Sequence, residues 1–374
     1  MAYFIGVMSG TSMDGVDAIL ADITTQATAP IAATHVAYPP ELLSLLHQLC
    51  DTTPNEINLM GQADRLVATT FADAVNKLLL EQHLSPADIM AIGSHGQTIR
   101  HYPNGAPSAT GSTGFTLQIG DPHTIAALTG IDVVADFRRK DIAFGGQGAP
   151  LVPAFHAAQF AAEGRHRVIV NIGGFANITV LQGTDRGLIS GFDTGPGNVL
   201  MDAWCQLHCN QPFDESGTWA SQGVVNEPLL NTLLADPYFS QTGPKSTGRE
   251  YFNLKWLQQH LAAFPPIEPV DVQATILALT ATTIADAINA LPAIHECYVC
   301  GGGAFNQCLM TRLDRQLPSV SVAPTTALKL PPQWVEGVAF AWLAWAYLHQ
   351  VPGNVPSVTG AERAVVLGSF IPAG

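Results

Sequence analysis

The hydrophobic pattern begins with two apolar runs separated by a short polar turn. Residues 3–8 are apolar and β-prone, and residues 16–23 alternate between the two faces of an extended chain. Alternation with a period of two predicts β-strands. The intervening segment, residues 9–15, is small, polar and rich in glycine, the residue that bends a backbone most easily. The pattern predicts a strand, a tight turn and a second strand.

The same pattern returns near the middle of the chain. Residues 168–172 form an apolar run, Gly173 and Gly174 form a turn, and residues 177–181 alternate again. Two glycine-turned hairpins, each opening one half of the chain, predict a duplicated domain. If a nucleotide binds between the two halves, each half would place its hairpin against the phosphates.

Between and after the hairpins, short apolar runs alternate with longer helical patterns. This alternation predicts an α/β fold with mixed sheets. A glycine- and proline-rich segment at residues 136–150 favours a boundary between a first domain, 1–140, and a second, 141–349. The tail, about 350–374, is a candidate to return to the first domain.

Composition limits the classes of function. The 374-residue chain has 47% hydrophobic and 12% charged residues, with a net charge of −14. Large cores are therefore expected, whereas nucleic acids and acidic membranes, which require basic surface, are not expected partners. The N-terminus runs directly into a strand without a basic leader, which favours a cytoplasmic protein. The apolar run at 335–348 carries Glu336 and is short for a membrane span, so a buried helix is expected.

Cysteine spacing adds no metal site to this interpretation. Cys297 and Cys300 fall in a predicted strand, where an offset of three places side chains on opposite faces. Cys205 and Cys209 share a predicted helix face, but buried thiols are favoured over ligands. Reduced cysteines without zinc are expected.

The first turn has two interpretations on its chemistry alone. Successive backbone N–H groups beside Thr11 and Ser12 can form an anion-binding nest. The same residue types are also common in ordinary hairpin turns. The chain has no G-x-x-x-x-G-K-[ST] phosphate loop and no G-x-S-x-G elbow, so neither of those enzyme classes is indicated.

Five sequence motifs that follow one another along the chain favour the anion-binding interpretation of the first turn, because together they resemble the motifs of a known family. They are MSGTSMDGVDA (8–18), SHGQT (94–98), GGQGAPLVP (145–153), NIGGFANIT (171–179) and DTGPGN (193–198). Together they resemble the anhydro-N-acetylmuramic acid kinases, within the superfamily of sugar kinases, actin and chaperone ATPases. The resemblance extends from residue 4 to about 345.

The resemblance implies two actin-like (ribonuclease H-like) domains with mixed sheets flanking an ATP cleft. It implies an ATP- and Mg²⁺-dependent kinase that opens 1,6-anhydro-N-acetylmuramic acid with water and phosphorylates O6, within cell-wall sugar recycling. A homodimer is also expected. The alternatives are an ordinary hexose or amino-sugar kinase and a non-metabolic ATPase switch resembling actin or chaperones.

Roles for individual residues follow from the resemblance. Asp193 would be the catalytic base, although its place at a strand end also suits an Asx turn or a helix cap. His95, Gln97 and Arg138 are candidates for the sugar, with a backbone-tied imidazole the alternative for His95. Arg139 and Lys140 stay open beside Arg138 as the cation that meets the lactyl carboxylate. Met8 stands where many superfamily members carry an acidic residue, so the metal ligands stay open. The ATP-binding residues would be Gly10, Thr11, Ser12, Met13, Asp14, Gly15, Val16, Asp17, Gly173, Gly174, Asn177, Gly301, Gly302 and Gly303.

Overall fold

The computed structural model describes residues 2–10, 13, 15–25, 27–50, 52–106, 113–185, 188–241, 245–249 and 251–374. The strands are β1 Tyr3–Met8, β2 Gly15–Ile23, β3 Thr28–Ala37, β4 Ile89–Ser94, β5 Gln97–Tyr102, β6 Phe115–Ile119, β7 Val133–Ala135, β8 His166–Ile172, β9 Phe175–Gln182, β10 Ser190–Pro196, β11 Glu296–Cys300, β12 Ser321–Pro324 and β13 Ser369–Ile371. The α-helices are α1 Pro40–Cys50, α2 Glu56–Gln82, α3 Pro122–Thr129, α4 Arg139–Ala143, α5 Val152–Phe160, α6 Val199–Cys209, α7 Glu227–Leu234, α8 Pro237–Ser240, α9 Leu254–Leu261, α10 Pro269–Asn289, α11 Gln307–Gln316, α12 Val335–Leu348 and α13 Pro356–Thr359.

The chain divides into two compact units. The first contains Met1–Gln159 and Trp334–Gly374, and the second contains Phe160–Gln333. The first unit has a six-stranded sheet in the order β13-β7-β4-β1-β2-β3, and the second has a five-stranded sheet in the order β10-β9-β8-β11-β12. In each sheet the opening three strands are antiparallel and the next two are parallel to the first strand. The prediction of a mixed α/β fold is confirmed, and the units repeat one topology.

The first unit extends beyond the boundary expected at 140/141 because a buried carboxylate joins distant segments. Asp141 has no solvent exposure. It accepts hydrogen bonds from the Gly148 N–H (2.8 Å), the Asn354 amide (2.7 Å) and the Thr359 hydroxyl (2.8 Å). Residues around 148 and 354–359 are thereby held to α4. The C-terminal segment also supplies β13, which pairs with β7.

Helix α12 lies very close to the first sheet, and glycines make this approach possible. A Cβ added at Gly6 would lie 1.8 Å from the Gly337 carbonyl oxygen, and one at Gly93 would lie 1.9 Å from the Phe340 carbonyl oxygen. Any side chain at these positions would collide with helix backbone. Positions 6 and 93 of the sheet are therefore restricted to glycine by packing. Among the described residues, no helix is both long and apolar enough to cross a membrane.

Candidate functional site

The first glycine turn is held by buried polar contacts. The Ser9 hydroxyl lies 2.8 Å from the Gly15 carbonyl oxygen and 2.6 Å from Gln97 Oε1, two acceptors that share its single proton. The Gln97 amide donates to the Gly10 carbonyl at 3.3 Å. Gln97 is 1% exposed, so the structure places this predicted sugar ligand as a brace beneath the turn.

The other predicted residues of this turn have mixed placements. Met13 is buried with a left-handed φ of 56°, and its N–H donates to the Gly10 carbonyl at 3.3 Å. The Val16 side chain is in the core, so only its backbone is available to a ligand. Asp17 is exposed and pairs with His35 at 2.9 Å. Thr11, Ser12 and Asp14 lie outside the described residues.

His95 and Arg138, predicted independently, are in direct contact. The Arg138 guanidinium approaches His95 Nε2 through Nε (3.2 Å) and Nη2 (2.8 Å), and its Nη1 donates to the Gly148 carbonyl at 2.8 Å. Because a guanidinium only donates, Nε2 accepts and the ring is neutral. Burial, followed by the Arg138 charge, holds the pKa of His95 well below its usual range. Burial also lowers the pKa of Arg138 to about 10, with Glu336 and Asp141 opposing the shift.

Glu336 is a charged residue of this region that the motifs did not identify. It is half-buried in the first turn of α12, and burial raises the pKa of its carboxyl against the opposing charge of Arg138. The nearby charge of Asp17 adds to the increase in pKa. A single acid at the start of a strongly apolar helix was the available sequence signal. His95, Arg138 and Glu336 thus form one cluster of ionisable side chains within the first unit.

In the second unit, the Gly173–Gly174 turn is bound to the start of α6. The Gly174 carbonyl accepts from the Gly197 N–H (2.9 Å) and the Val199 N–H (3.0 Å), and the Gly173 carbonyl accepts from the Asn198 N–H (2.8 Å). Asn177, predicted to bind ATP, pairs across the sheet with Asp193. The Gly173–Gly174 turn, which lies between β8 and β9, is therefore connected through β9 to strand β10, which carries Asp193.

The glycines of the second unit differ in what they permit. A Cβ at Gly197 would lie 2.4 Å from the Gly173 carbonyl, and one at Gly303 would lie 2.4 Å from Ile172. Gly301 has a φ of +77° and would clash with Asn171. At Gly173 and Gly302, by contrast, an added Cβ would meet nothing closer than 3.8 Å and 3.5 Å. Packing within the chain therefore does not require glycine at these two positions, which is compatible with a ligand that approaches the main chain closely.

Asp193 lies inside β10, at a register shift that falls between Asp193 and Gly195. The sequence placed it at a strand end, but β10 continues to Pro196. The Asp193 N–H donates to the Lys245 carbonyl (3.0 Å), its Oδ2 accepts from the Thr247 N–H (3.0 Å), and its carbonyl accepts from the Tyr238 hydroxyl (2.7 Å). The carboxylate is therefore fixed by a segment more than forty residues away in sequence.

The residues described include no group of three or more His, Cys, Asp or Glu side chains arranged to hold a metal ion. The side chains of Cys297 and Cys300 are both buried. The direct metal ligands stay open.

Repeated mixed sheets, each opened by a glycine-turned hairpin, define the class as an α/β protein built from two related units. Among solved structures, the chain is similar to component A of (R)-2-hydroxyglutaryl-CoA dehydratase from Acidaminococcus fermentans (12% identity, 91% of this chain and 96% of that one, TM-score 0.47). It is also similar to a ROK family glucokinase from Streptomyces griseus (14% identity, 91% and 99% coverage, TM-score 0.41).

The particular family is shown by sequence. The family model for anhydro-N-acetylmuramic acid kinase matches residues 2–373. Proteins of that name from Shewanella frigidimarina (54% identity, 98% of this chain and 97% of the relative) and Shewanella sediminis (53%, 99% and 99%) are similar over nearly their whole length. The chain belongs to the anhydro-N-acetylmuramic acid kinase family. The resemblance stated from the motifs is confirmed, and the class of enzyme is an ATP-dependent sugar kinase.

Proposed function

We propose that this protein uses ATP and water to convert 1,6-anhydro-N-acetylmuramic acid into N-acetylmuramic acid 6-phosphate and ADP. The observation that carries the proposal is the family match over residues 2–373, supported by relatives of that name at 54% identity. The reaction would serve the recycling of cell-wall sugar.

The chemistry requires a base as well as a phosphate site. In the anhydro sugar, O6 is bonded to C1, so no free 6-hydroxyl is available to attack the γ-phosphorus. The C1–O6 bond must break as O6 becomes the phosphoryl acceptor, and water supplies the new oxygen at C1. We assign Asp193 as the group that orients this water and accepts its proton, because an ionised carboxylate on a braced strand suits that role.

The phosphates would be bound by the glycine turns. Charge spreads over the phosphoryl oxygens in a loose transition state, and fixed N–H donors stabilise it. Two observations support this assignment: packing within the chain does not require glycine at positions 173 and 302, and the turn at Gly10 is braced by Gln97. The ATP cleft implied by the resemblance stays a prediction.

Mg²⁺ is proposed as the metal that neutralises phosphate charge. It keeps several waters and binds substrate phosphates more often than all-protein cages. The absence of a three-ligand cluster among the described residues is compatible with binding mainly through phosphate oxygens and water. When bound, the ion would offset charge on the transferring group.

The sugar's lactyl carboxylate is assigned to Arg138. A guanidinium binds a carboxylate through charge-assisted hydrogen bonds. Arg138 is partly buried and held by His95 and Gly148, whereas neighbouring Arg139 and Lys140 are exposed. We assign His95 to orient the Arg138 guanidinium through their hydrogen bond, and Gln97 to brace the turn at Gly10. In this assignment neither residue contacts a substrate.

The deciding experiment is ADP release with a panel of acceptors. The proposal expects turnover with the anhydro sugar and little with amino sugars that carry a free 6-hydroxyl. Turnover with free 6-hydroxyl sugars alone would indicate an ordinary amino-sugar kinase, and hydrolysis without sugar would indicate an ATPase switch. In ¹⁸O-water the label should appear at C1; label on the phosphate would contradict the mechanism.

A homodimer in the cytoplasm is proposed from the family resemblance. Sedimentation of the purified chain at several concentrations tests the dimer. A monomer at all concentrations would exclude it.

A further inference from the structure

The backbone of Asp193 is enclosed in a closed cycle of three hydrogen bonds. The Tyr238 hydroxyl donates to the Asp193 carbonyl (2.7 Å), the Lys245 ammonium donates to the Tyr238 carbonyl (3.1 Å), and the Asp193 N–H donates to the Lys245 carbonyl (3.0 Å). Each of the three residues gives one bond and receives one. Thr247 extends the cycle to the carboxylate through its N–H.

The position of β10 explains why Asp193 has room for these partners. Among the described residues, this strand is the outer strand of its sheet, so polar backbone groups on its outer side have no neighbouring strand there. Strand β9 occupies the other side, with Asn177 opposite Asp193. The cycle therefore satisfies the backbone N–H and carbonyl groups of Asp193 at the edge of the sheet. Without these hydrogen bonds, the edge strand would fray and the Asp193 carboxylate would move with it.

The two side chains of the cycle are themselves fixed. The Lys245 ammonium lies 4.6 Å from the centre of the Tyr238 ring and 5.9 Å from that of Phe192. The Tyr238 ring packs edge-on against Phe252 at 5.3 Å. Tyr238 belongs to α8, and its own N–H donates to the capping Asp236 side chain at 2.9 Å. Asp236 in turn accepts from Trp256 Nε1 at 3.0 Å.

Charge agrees with this geometry. Burial lowers the pKa of the half-buried Lys245 ammonium, and the Asp193 carboxylate opposes the decrease. Burial, followed by the Asp193 charge, raises the pKa of Tyr238, so its hydroxyl remains a donor at neutral pH. The Asp193 carboxylate thus favours the charged form of Lys245, and the raised pKa of Tyr238 keeps its hydroxyl protonated.

We propose that Tyr238 and Lys245 are positioning residues for the reaction, which hold Asp193 at the angle from which its carboxylate meets the attacking water. The inference rests on the proposed role of Asp193. Neither residue needs to contact either substrate. Loss of either should therefore reduce kcat and leave both KM values unchanged, because misplacement of a catalytic group affects the transition state.

The test uses Tyr238→Phe, which removes one hydroxyl and keeps the ring. A typical hydrogen bond corresponds to a roughly fivefold to tenfold change in rate. We expect kcat with the anhydro sugar to fall by about that factor, with KM for ATP and sugar within twofold of the wild type. The matched control is Tyr251→Phe, which removes a hydroxyl that donates to Asp236 Oδ1 at 2.7 Å in the same aromatic cluster. The control should retain wild-type kcat.

Lys245 gives an independent pair of variants. Lys245→Met should lower kcat by about tenfold, and Lys245→Arg should recover most of the loss because a cation still lies over the Tyr238 ring. Lys255→Met, at an exposed position of α9, is the charge-matched control. These variants keep the inference testable if Tyr238→Phe lowers the melting temperature more than Tyr251→Phe does.

A double variant separates positioning from general stability. If Tyr238 acts through Asp193, then Asp193→Asn/Tyr238→Phe should turn over no more slowly than Asp193→Asn alone. If Asp193→Asn is impaired while Tyr238→Phe and Lys245→Met match their controls, the inference is overturned and the proposed function stands. Wild-type turnover in Asp193→Asn would overturn both the role of Asp193 and this inference.

Discussion

Replacing Gly93 by alanine should strongly destabilise the first unit. The new Cβ would lie 1.9 Å from the Phe340 carbonyl oxygen, whereas real Cβ contacts begin near 3.0 Å. Both sides of this contact are backbone, so α12 and β4 must separate by about 1 Å. A gap of that size forfeits between a quarter and a half of the dispersion energy of the contacts it opens.

The magnitude follows from the cost of overpacking. Extra methyl groups in a packed core typically cost about 1–3 kcal/mol. We expect the upper end, about 3 kcal/mol, because no flexible side chain can move aside. For a unit of this size the melting temperature should fall by roughly 6–12 °C.

Calorimetry and urea unfolding of Gly93→Ala would measure the change, with hydrogen exchange in β4 and α12 showing where it acts. The matched control is Gly61→Ala, in the interior of α2, where an added Cβ meets nothing within 4 Å. Removing a helical glycine there should stabilise by roughly 0.5–1 kcal/mol. A melting temperature for Gly93→Ala within 1 °C of the wild type would refute the packing argument.

Three further predictions concern the site and the buried charges. Asp193→Asn should fold and bind ATP normally, and its kcat should fall by about two to four orders of magnitude in the ADP-release assay; near-normal turnover would remove Asp193 as the base. Arg138→Gln should raise KM for the anhydro sugar by roughly tenfold to a hundredfold with KM for ATP unchanged, since a charged hydrogen bond is worth about 1.5–3 kcal/mol. Arg139→Gln is the control at an exposed position. An equal increase in KM for the sugar in both variants would contradict the assignment of Arg138. Burial lowers the pKa of His156 to about 3, so only the unfolded chain gains this proton as pH falls below 6.5. The free energy of unfolding should therefore drop by about 2 kcal/mol between pH 6.5 and pH 5 because of this histidine. In urea titrations, His156→Gln should lose about 2 kcal/mol less free energy of unfolding over the same pH range than the wild type does.

Local patterns predicted the strands well, because alternation and glycine turns are local properties. The apolar run at residues 3–8 has those bounds as β1, and the run at 168–172 lies within β8. Within α2, apolar character alone does not predict burial, because Leu66 is 49% exposed whereas Phe71 is fully buried. Leu66 and Phe71 are five residues apart, a separation that places them on different helix faces. Strand β5 went unnoticed because its polar sequence is supported mainly by pairing with β6.

Residues of the candidate site could be predicted from the sequence only where they lie in or next to a recognisable motif. Asp193 and the Gly173–Gly174 turn lie in recognisable motifs, and His95 with Arg138 fell within or beside them. The Lys245 and Tyr238 contacts to Asp193 join segments 45 or more residues apart, and no periodicity links such segments. Glu336 joins Arg138 only through the packing of α12 on the first sheet.

The return of residues 334–374 to the first sheet has a consequence for synthesis. The second unit is continuous in sequence, so a ribosome delivers all of it before α12 and β13 exist. Until then, the strand surface around Gly6 and Gly93 has no helix to cover it, and β7 has no β13 beside it. The first unit therefore begins translation first but completes its sheet last, and a nascent chain stalled before residue 334 would present that bare glycine surface to chaperones.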